Sequence, residues 1–288
     1  VALANLIKNG ISIGARTVNG LGRAACKDIS LEHYDFTKPE HVKAWLLRKA
    51  GTSVAIPERR MIAEKDFVID MECYLEGTVL IKSIFEEAWE DKSVSLFIPG
   101  TSIKGVLRHH CNRILQVLGR GHKTVDMLFG YSDDRSKESR KGRLMVDEVY
   151  FDKSFTQEEQ PRIRVDRFTG GAMNGALFQD HPVRKGKGKQ LAFPLRMTVK
   201  DCSDSEAGLV LLLVKDLMTG QITLGANRTI GYGRIKGNAV TVQYHGESYG
   251  IDGTGKVTEG EATKLEALVQ VLHQSTEDTM LAKEGAHE

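Results

Sequence analysis

The sequence lacks long apolar runs and is poor in cysteine and in net charge. None of its 288 residues lies in an uninterrupted run of about 18 apolar residues, and no signal peptide is visible, so no membrane partner is expected. The four cysteines never form a CxxC pair, which argues against a zinc finger or a disulfide framework. Reduced thiols in the cytoplasm are therefore expected. The isolated positions are Cys26, Cys73, Cys111 and Cys202.

The net charge is only +2, so a nucleic-acid surface would have to come from local clusters of basic residues. Basic residues cluster in segments 135–143 and 184–189, whereas carboxylates cluster in segment 86–91 and near the C-terminus. The length suffices for about two domains at ~150 residues each.

Segment 95–115 is predicted to be a strand that leads into a helix. The apolar residues Leu96 to Ile98 meet Pro99-Gly100, and Thr101 or Ser102 is predicted to cap the helix. Lys104 and Arg108 stand four residues apart, on a different face from the apolar stripe, which is Ile103, Val106, Leu107 and Leu115. A helix start with free amides and two cations predicts an anion site suited to a phosphate backbone.

An internal repeat divides the chain. Residues 5–23 align without gaps on residues 216–234, and three glycines and an arginine keep their register. The sequence therefore predicts the end of one domain in residues 1–50, a linker in 51–60, a complete copy in 61–245 and a C-terminal extension with a helix in 246–288. We also expect a further portion upstream of Val1.

Hydrophobic periodicity predicts the remaining elements. A helix is expected near Lys38 to Leu46 and another from Thr258 onward. Residues 209–213 are predicted as a strand or, alternatively, as the start of a helix through Leu217. The charged segment 131–142 has no apolar stripe and is expected to be mobile. The predicted strands are 25–29, a pair within 67–80, 144–151, 162–167, 192–199 and 240–244.

The glycines at residues 20–25 fit the GxGxxA dinucleotide fingerprint only superficially. A strand rather than a helix is predicted after them, and the second copy reads GYGRIKG, so a nicotinamide or ATP site is disfavoured. A tight turn with positive φ explains the glycines. Because Arg23 and Arg234 follow these glycines directly, we also predict that the loops bind phosphate.

The segment from Phe168 to Leu191 is predicted to be a long flexible excursion or hairpin, and it ends in the basic run RKGKGK. A solvated loop would explain this run as well. However, Arg164 and Arg167 lie nearby among the apolar residues Phe168, Met173, Leu177 and Phe178. Cations interleaved with apolar and aromatic side chains favour single-stranded nucleic acid.

Three motifs resemble signatures of one superfamily: IPGTSIKGVLR at 98–108, VDRFTGGAMNGALF at 165–178 and LGANRTIGYGRIKG at 224–237. The chain resembles the RAMP proteins, specifically the backbone subunits of type III CRISPR effector complexes, over roughly residues 56–237. The resemblance implies an α+β chain with a ferredoxin-like, RNA-recognition-type βαββαβ core and large insertions. It also implies a thumb hairpin that enters between guide and target RNA. The implied partners are a crRNA guide, a target RNA and neighbouring subunits.

The RNA-binding residues predicted from these motifs lie in the helix start, the hairpin, the basic run and the glycine loops. They are Gly100, Ser102, Lys104, Arg108, Arg164, Arg167, Phe168, Thr169, Met173, Arg184, Lys185, Arg228, Gly231, Tyr232, Gly233, Arg234 and, in the first copy, Arg23.

In that family an aspartate before the IPG strand promotes metal-dependent cleavage of target RNA. The corresponding segment here, LIKSIFEEAWEDKSVSLF, lacks the usual GID sequence, and Leu75-Glu76-Gly77 replaces an upstream histidine-glycine pair. Asp91 is the positional candidate, with Glu87 and Glu90 behind it, and Mg²⁺ would be the cofactor. A solvated acidic helix end explains the same residues. The sequence therefore leaves open a nuclease and an inactive scaffold with cleavage done by neighbouring subunits.

Overall fold

The computed structural model describes residues 7, 11–14, 22–24, 26, 28–55, 65–82, 84, 87, 90–91, 96–133, 137–151, 155–185 and 192–274, with backbone alone at 12, 23 and 185. The chain divides into two compact units. One holds Val1–Thr17 and Leu21–Ala63, and the other holds Val18–Gly20 and Glu64–Glu288. Within the described residues, every helix is too short or too polar to cross a membrane.

Four of the described strands have eight residues or more, but most strands are short. In chain order they are β1 (Ile11–Ser12), β2 (Arg23–Ala24), β3 (Glu32–His33), β4 (Thr52–Ser53), β5 (Phe67–Leu75), β6 (Thr78–Val79), β7 (Phe97–Ile98), β8 (Gly130–Asp133), β9 (Glu138–Lys141), β10 (Leu144–Val146), β11 (Val149–Tyr150), β12 (Phe155–Gln157), β13 (Gln160–Val165), β14 (Ala172–Asp180), β15 (Val183–Lys185), β16 (Ala192–Val199), β17 (Ile235–Tyr244), β18 (Glu247–Asp252) and β19 (Val257–Glu259). The helices are α1 (Pro39–Leu46), α2 (Gly100–Val117), α3 (Lys123–Phe129), α4 (Asp204–Met218) and α5 (Ala262–Gln274).

The larger unit is built on a six-stranded antiparallel sheet with the order β10-β16-β5-β17-β18-β19. The chain passes through β5, α2, β10, β16, α4 and β17, which is a βαββαβ path. Numbered along that path, the four strands lie side by side in the order 2-3-1-4, the arrangement of a ferredoxin-like fold. The predicted α+β class and ferredoxin-like core are confirmed.

The two long core helices cover one face of this sheet. Alternate residues of β5 are at most 2% exposed: Phe67, Ile69, Met71, Cys73 and Leu75. Helix α2 packs on this core with Ile103, Leu107 and Leu115 of the predicted stripe and with Cys111, whereas the predicted Val106 is half-buried. The predicted cap is wrong, because Pro99 occupies the N-cap position and the helix begins at Gly100. Thr101 and Ser102 therefore lie inside the first turn, and no side chain caps it.

Helix α4 occupies residues 204–218, so the strand prediction for 209–213 is wrong and its helical alternative is confirmed. Ser203 accepts a hydrogen bond from the Glu206 amide and the Glu206 carboxylate accepts one from the Ser203 amide, a complete capping box. The helix is apolar on nearly every side because α5 packs on the side away from the sheet. At Gly208 a Cβ atom would come within 2.3 Å of the Leu268 carbonyl oxygen, so only glycine permits this close crossing.

The segment expected to be mobile contains a hairpin of β8 and β9, with Tyr131 opposite Arg140. All its strand residues except Gly130 are exposed, so backbone pairing forms it without any apolar stripe. The strand predicted over 144–151 is interrupted. Strand β10 joins the main sheet, whereas β11 pairs with β7 just before helix α2.

The second exposed hairpin is formed by β13 and β14 and begins at Gln160, whereas the sequence predicts an excursion or hairpin only from Phe168 onward. Residues 162–167, which are predicted as a strand, form most of the first strand of this hairpin and the start of its tip. After the hairpin, β15 joins a small sheet with β12 and β6, and residues 186–191, which include the rest of the basic run, lie outside the described residues.

The smaller unit contains α1 near the predicted position, flanked by the antiparallel pair β3 and β4. The strand predicted over residues 25–29 is wrong, because its described part, Cys26 and residues 28–29, has no regular secondary structure. No residue of α1 is buried within this unit, and Trp45 packs edge-on against Phe36 with both rings more than half exposed.

Candidate nucleic-acid interface

The β13–β14 hairpin carries an unusually exposed set of apolar side chains. Phe168 at its tip is 100% exposed, and Leu177 is 69% exposed. The other large apolar side chains, exposed between 43% and 55%, are Ile163, Val165, Met173 and Phe178. No residue between Pro161 and Gln179 is buried, so this surface contributes nothing to the core and is open to a ligand.

A defined turn holds the tip of the hairpin. The Asp166 carboxylate accepts hydrogen bonds from the Phe168 amide (2.7 Å) and the Thr169 amide (2.9 Å). These backbone donors, Thr169 first, lower the pKa of Asp166, so the turn persists at neutral pH. The phenyl ring of Phe168 is thus presented on an ordered turn.

The hairpin also supplies cations. Arg164 and Arg167 are exposed, and neither forms an ion pair with another residue in the described part of the chain. Among the other predicted contacts, Thr169 and Met173 lie on the same hairpin. Arg184 lies on β15, where it forms a 2.8 Å ion pair with Glu158. The Lys185 side chain lies outside the described residues.

Lys104 is the predicted cation that is best suited to an anion at the start of helix α2. The first turn of the helix contains no acidic residue, and Lys104 has no ion-pair partner among the described residues. Burial, together with the positive charges of Arg108 and Lys141, lowers the pKa of Lys104 to about 8. An ammonium group destabilised in this way gains from a bound anion. Gly100 is buried and Ser102 half-buried in the same turn.

Arg108 has a structural role instead. Its guanidinium donates to the Gly130 carbonyl oxygen (2.7 Å) and to the Asp126 carboxylate (2.8 Å), so it ties α2 to α3 and to the start of β8. The helix-face argument that paired Lys104 with Arg108 did not anticipate these partners, which come from residues 18 and 22 positions away.

The glycine loop between α4 and β17 folds tightly on its own backbone. A Cβ atom at Gly233 would lie 1.8 Å from the Leu224 carbonyl oxygen, whereas at Gly231 nothing lies within 4 Å. The chain itself therefore fills the space at Gly233, and only Gly231 leaves room for a ligand. Arg234 forms a 2.9 Å ion pair with Glu76 and remains about half exposed.

The first copy of the repeat closes in the same way. Ile13 donates its amide to the Gly22 carbonyl oxygen at 2.8 Å, as Leu224 does to that of Gly233. Ser12 pairs with Arg23, as Thr223 does with Arg234. A Cβ atom at Gly22 would lie 1.9 Å from the Ile13 carbonyl oxygen, nearly the same distance as the 1.8 Å between a Cβ atom at Gly233 and the Leu224 carbonyl oxygen. The predicted repeat therefore corresponds to a shared backbone geometry, while the Arg23 side chain lies outside the described residues.

Two of the predicted RNA-binding regions, the hairpin and the second glycine loop, meet in the structure. Arg162 of the hairpin lies over the ring of Tyr232, with 5.1 Å between its guanidinium carbon and the ring centroid. Asp180 of the hairpin accepts a 2.9 Å hydrogen bond from the Asn227 side chain of the glycine loop. Tyr232 is consequently buried at 8% exposure, which does not favour its predicted RNA contact, whereas Arg228 is exposed.

Sequence reasoning missed Lys82, Arg162, Asp180 and Asn227, which join these regions. The available signal was weak: an aspartate among apolar residues at a strand end, and an arginine alternating with apolar neighbours.

Asp91 is exposed, and its amide donates to the Glu87 carbonyl oxygen at 2.8 Å in a helical turn. Glu87 and Glu90 are exposed as well. In the described part of the chain, no three His, Cys, Asp or Glu side chains come together as metal ligands. The described residues therefore do not fit a preformed Mg²⁺ site around Asp91.

One family model matches the chain. A family model described as "RAMPs: RAMP superfamily" matches residues 79–236. Among solved structures, a chain of "Cryo-EM structure of the Type III-B Cmr-beta bound to cognate target RNA" aligns at 14% identity with a TM-score of 0.45, covering 63% of this chain and 62% of that chain. The chain thus spans less than two thirds of the length of that structural match. No curated protein sequence matches.

Proposed function

The chain belongs to the RAMP superfamily, whose family model matches more than half of it, and we propose that it is a guide-RNA-binding backbone subunit of a type III CRISPR effector complex. The observation that carries the proposal is the β13–β14 hairpin, which exposes apolar side chains and cations without burying any residue between Pro161 and Gln179. The proposed partners are a crRNA guide, a target RNA and neighbouring subunits.

The hairpin has the chemistry for a single strand. Exposed aromatic and apolar side chains can stack on or wedge between unpaired bases, and nearby arginines can pair with phosphates. Phe168 supplies the aromatic group at the tip, and Arg164 and Arg167 supply charge on the arm that leads to it. This combination is unfavourable in water, since the apolar groups gain free energy only when a partner covers them.

The start of helix α2 offers a second contact, to a phosphate. The amides of Ser102 and Ile103 donate to the Pro99 carbonyl oxygen, so those of Gly100 and Thr101 are the ones left for a ligand, and Lys104 lies in the second turn. A phosphate bound there would be held by the helix dipole and by an ammonium group that is otherwise poorly compensated.

RNA binding by Lys104 variants tests this proposal. We expect Lys104→Ala to weaken binding of single-stranded RNA irrespective of sequence and to reduce the slope of log K against log salt by about 0.7. Fluorescence anisotropy at salt concentrations from about 50 to 300 mM gives the RNA affinity at each concentration, and hence the slope.

Arg108→Ala serves as the matched control. It should lower the free energy of unfolding by about 1–2 kcal/mol, since it removes hydrogen bonds to Asp126 and Gly130, and it should leave the salt slope unchanged. An unchanged slope in Lys104→Ala would contradict the proposed phosphate contact.

The affinity should also depend on pH. The free chain holds Lys104 with its pKa lowered to about 8, so the ammonium form, which binds phosphate, is lost as the pH rises through that value. A bound phosphate favours the charged form, so the midpoint in the complex should lie above 8. We expect the RNA affinity of the native chain to fall as the pH rises above about 8, and that of Lys104→Arg to stay constant. Parallel curves for the two proteins would contradict this assignment.

Cleavage of target RNA is a separate proposal, in which Asp91 acts with Mg²⁺. The alternative is a scaffold that holds RNA for neighbouring subunits, and the absence of a metal-ligand cluster among the described residues favours it. The described carboxylates do not gather around a common point where Mg²⁺ could bind.

Incubation of the assembled complex with labelled target RNA and Mg²⁺ distinguishes the nuclease from the scaffold. If this chain is a scaffold, Asp91→Ala will leave every cut intact. If Asp91 is catalytic, Asp91→Ala will remove the cuts belonging to this subunit, and the neighbouring exposed carboxylate variant Glu87→Gln will retain them. The loss of the same cuts in both variants would point to a general effect of the acidic segment instead.

A further inference from the structure

We propose that the buried carboxylate of Asp180 is the positioning residue that fixes the β13–β14 hairpin against the glycine loop, so that both elements contact one RNA strand. That Asp180 fixes the direction of the hairpin is independent of RNA, whereas the shared contact with one RNA strand rests on the proposed function.

Asp180 lies at the end of β14, where the hairpin meets the body, and its side chain is 1% exposed. One carboxylate oxygen, Oδ2, lies 3.0 Å from Arg162 Nε and accepts a 2.9 Å hydrogen bond from Asn227 Nδ2. The other, Oδ1, lies 3.4 Å from Lys82 Nζ. One side chain thus joins the opposite hairpin strand, the glycine loop and the segment that leads toward Asp91.

Arg162 extends this cluster on the other side of the loop. Its guanidinium lies over the Tyr232 ring and donates to the Tyr232 hydroxyl, which in turn donates to the Gln160 side chain. The single turn of 3₁₀ helix at Arg228–Ile230 therefore lies between two residues anchored on the hairpin base, Asn227 and Tyr232.

The hairpin has few other means of keeping its direction, because no residue from Pro161 to Gln179 is buried. Burying a carboxylate is unfavourable unless cations and hydrogen-bond donors compensate it, and such a cluster fixes geometry more than it adds stability. Removing the charge should therefore release the hairpin while the six-stranded sheet remains folded.

The first measurement is a spin-label distance between the hairpin and the body. Labels at Asn174→Cys on the hairpin and Gln270→Cys on α5 report the hairpin direction in a Cys26→Ser background, since the other three cysteines are buried. We expect one narrow distance peak with Asp180 present and its loss in Asp180→Asn.

Asp66→Asn is the matched control. Asp66 is also a buried carboxylate paired with a lysine, Lys200, but it precedes β5 at the end of the sheet opposite Leu75. This variant should keep the narrow peak. The exchange D180N/N227D keeps the hydrogen bond between the two positions and moves the carboxylate onto the loop, and it should restore the peak in part.

The second measurement is RNA affinity of the unlabelled full chain. Two elements held in a fixed relation act as linked binding sites, so Asp180→Asn should bind single-stranded RNA about tenfold more weakly than Asp66→Asn. A broadened peak in Asp180→Asn with no RNA binding by the native chain would support the positioning role and refute the proposed function. A narrow peak in Asp180→Asn overturns the inference even if RNA binds. Should Asp180→Asn fail to fold, Arg162→Lys replaces it: the lysine keeps the charge but cannot reach both Asp180 and Tyr232, so a retained narrow peak would overturn the inference.

Discussion

Replacing Gly233 with alanine is expected to lower the free energy of unfolding by about 3 kcal/mol or more, whereas Gly231→Ala is expected to cost only about 1 kcal/mol. Both glycines have positive φ, +77° at Gly233 and +91° at Gly231. Any L residue pays about 1–2 kcal/mol for this left-handed conformation. The difference between the variants comes from the surroundings, which chemical denaturation of both can measure.

At Gly233 the new methyl group would lie 1.8 Å from the Leu224 carbonyl oxygen and 2.8 Å from its carbon, which are backbone atoms that cannot rotate away. The Leu224 amide also hydrogen-bonds the Gly233 carbonyl oxygen, and the Gly233 amide hydrogen-bonds the Thr78 carbonyl oxygen. A shift that relieved the clash would break these bonds. Equal losses of stability in the two variants would show that the loop is more adaptable than this geometry implies.

The same pair of variants separates folding from binding. Gly231 has open space around it, so a phosphate could approach its backbone closely and a methyl group would obstruct that approach. We therefore expect weaker RNA binding in Gly231→Ala without a large loss of stability.

The sequence predicted well those features that depend only on residues close together in the chain, such as a turn or the buried face of a helix. The glycine register of the repeat predicted a turn, and the matched contacts of Gly22 and Gly233 supply the cause. The stripe on α2 predicted its buried face, because that helix packs against the core on one side only. Three motifs in order identified the family, since each combines a turn with charged residues at fixed spacing.

Other features depend on contacts that no local pattern records. Residues 209–213 of α4 resemble a buried strand because the sheet and α5 cover the helix on opposite sides, and polar residues such as Lys215 and Asp216 lie outside this run. The β8–β9 hairpin has no apolar signal because it buries almost nothing. The partners of Arg108, Asp126 and Gly130, are distant in sequence, so the helix-face pattern did not predict these contacts. Long-range pairing therefore decided where prediction from the sequence failed.

Removing the exposed side chains of the hairpin should have the largest effect on RNA binding. Stacking of one base on an aromatic side chain contributes about 1–3 kcal/mol, so Phe168→Ala should weaken binding about 5- to 150-fold. The double variant Arg164→Ala/Arg167→Ala should reduce the salt slope by about 1.4, since each single-strand phosphate contact contributes about 0.7. Phe168→Ala should leave that slope unchanged, because an uncharged ring releases no counterions.

Matched controls exist on other surfaces of the chain. Phe36 is an exposed aromatic residue of the smaller unit, and Arg140 is an exposed arginine of the other hairpin. Neither Phe36→Ala nor Arg140→Ala should reproduce the effects of the β13–β14 variants. None of the hairpin residues replaced is buried, so all the variants should have the same denaturant midpoint of unfolding as the native chain. A loss of RNA affinity in them is then a loss of contact with RNA. If Phe168→Ala binds RNA as the native chain does, the tip does not touch bases, and a salt slope that persists without Arg164 and Arg167 would place the phosphate path elsewhere on the molecule.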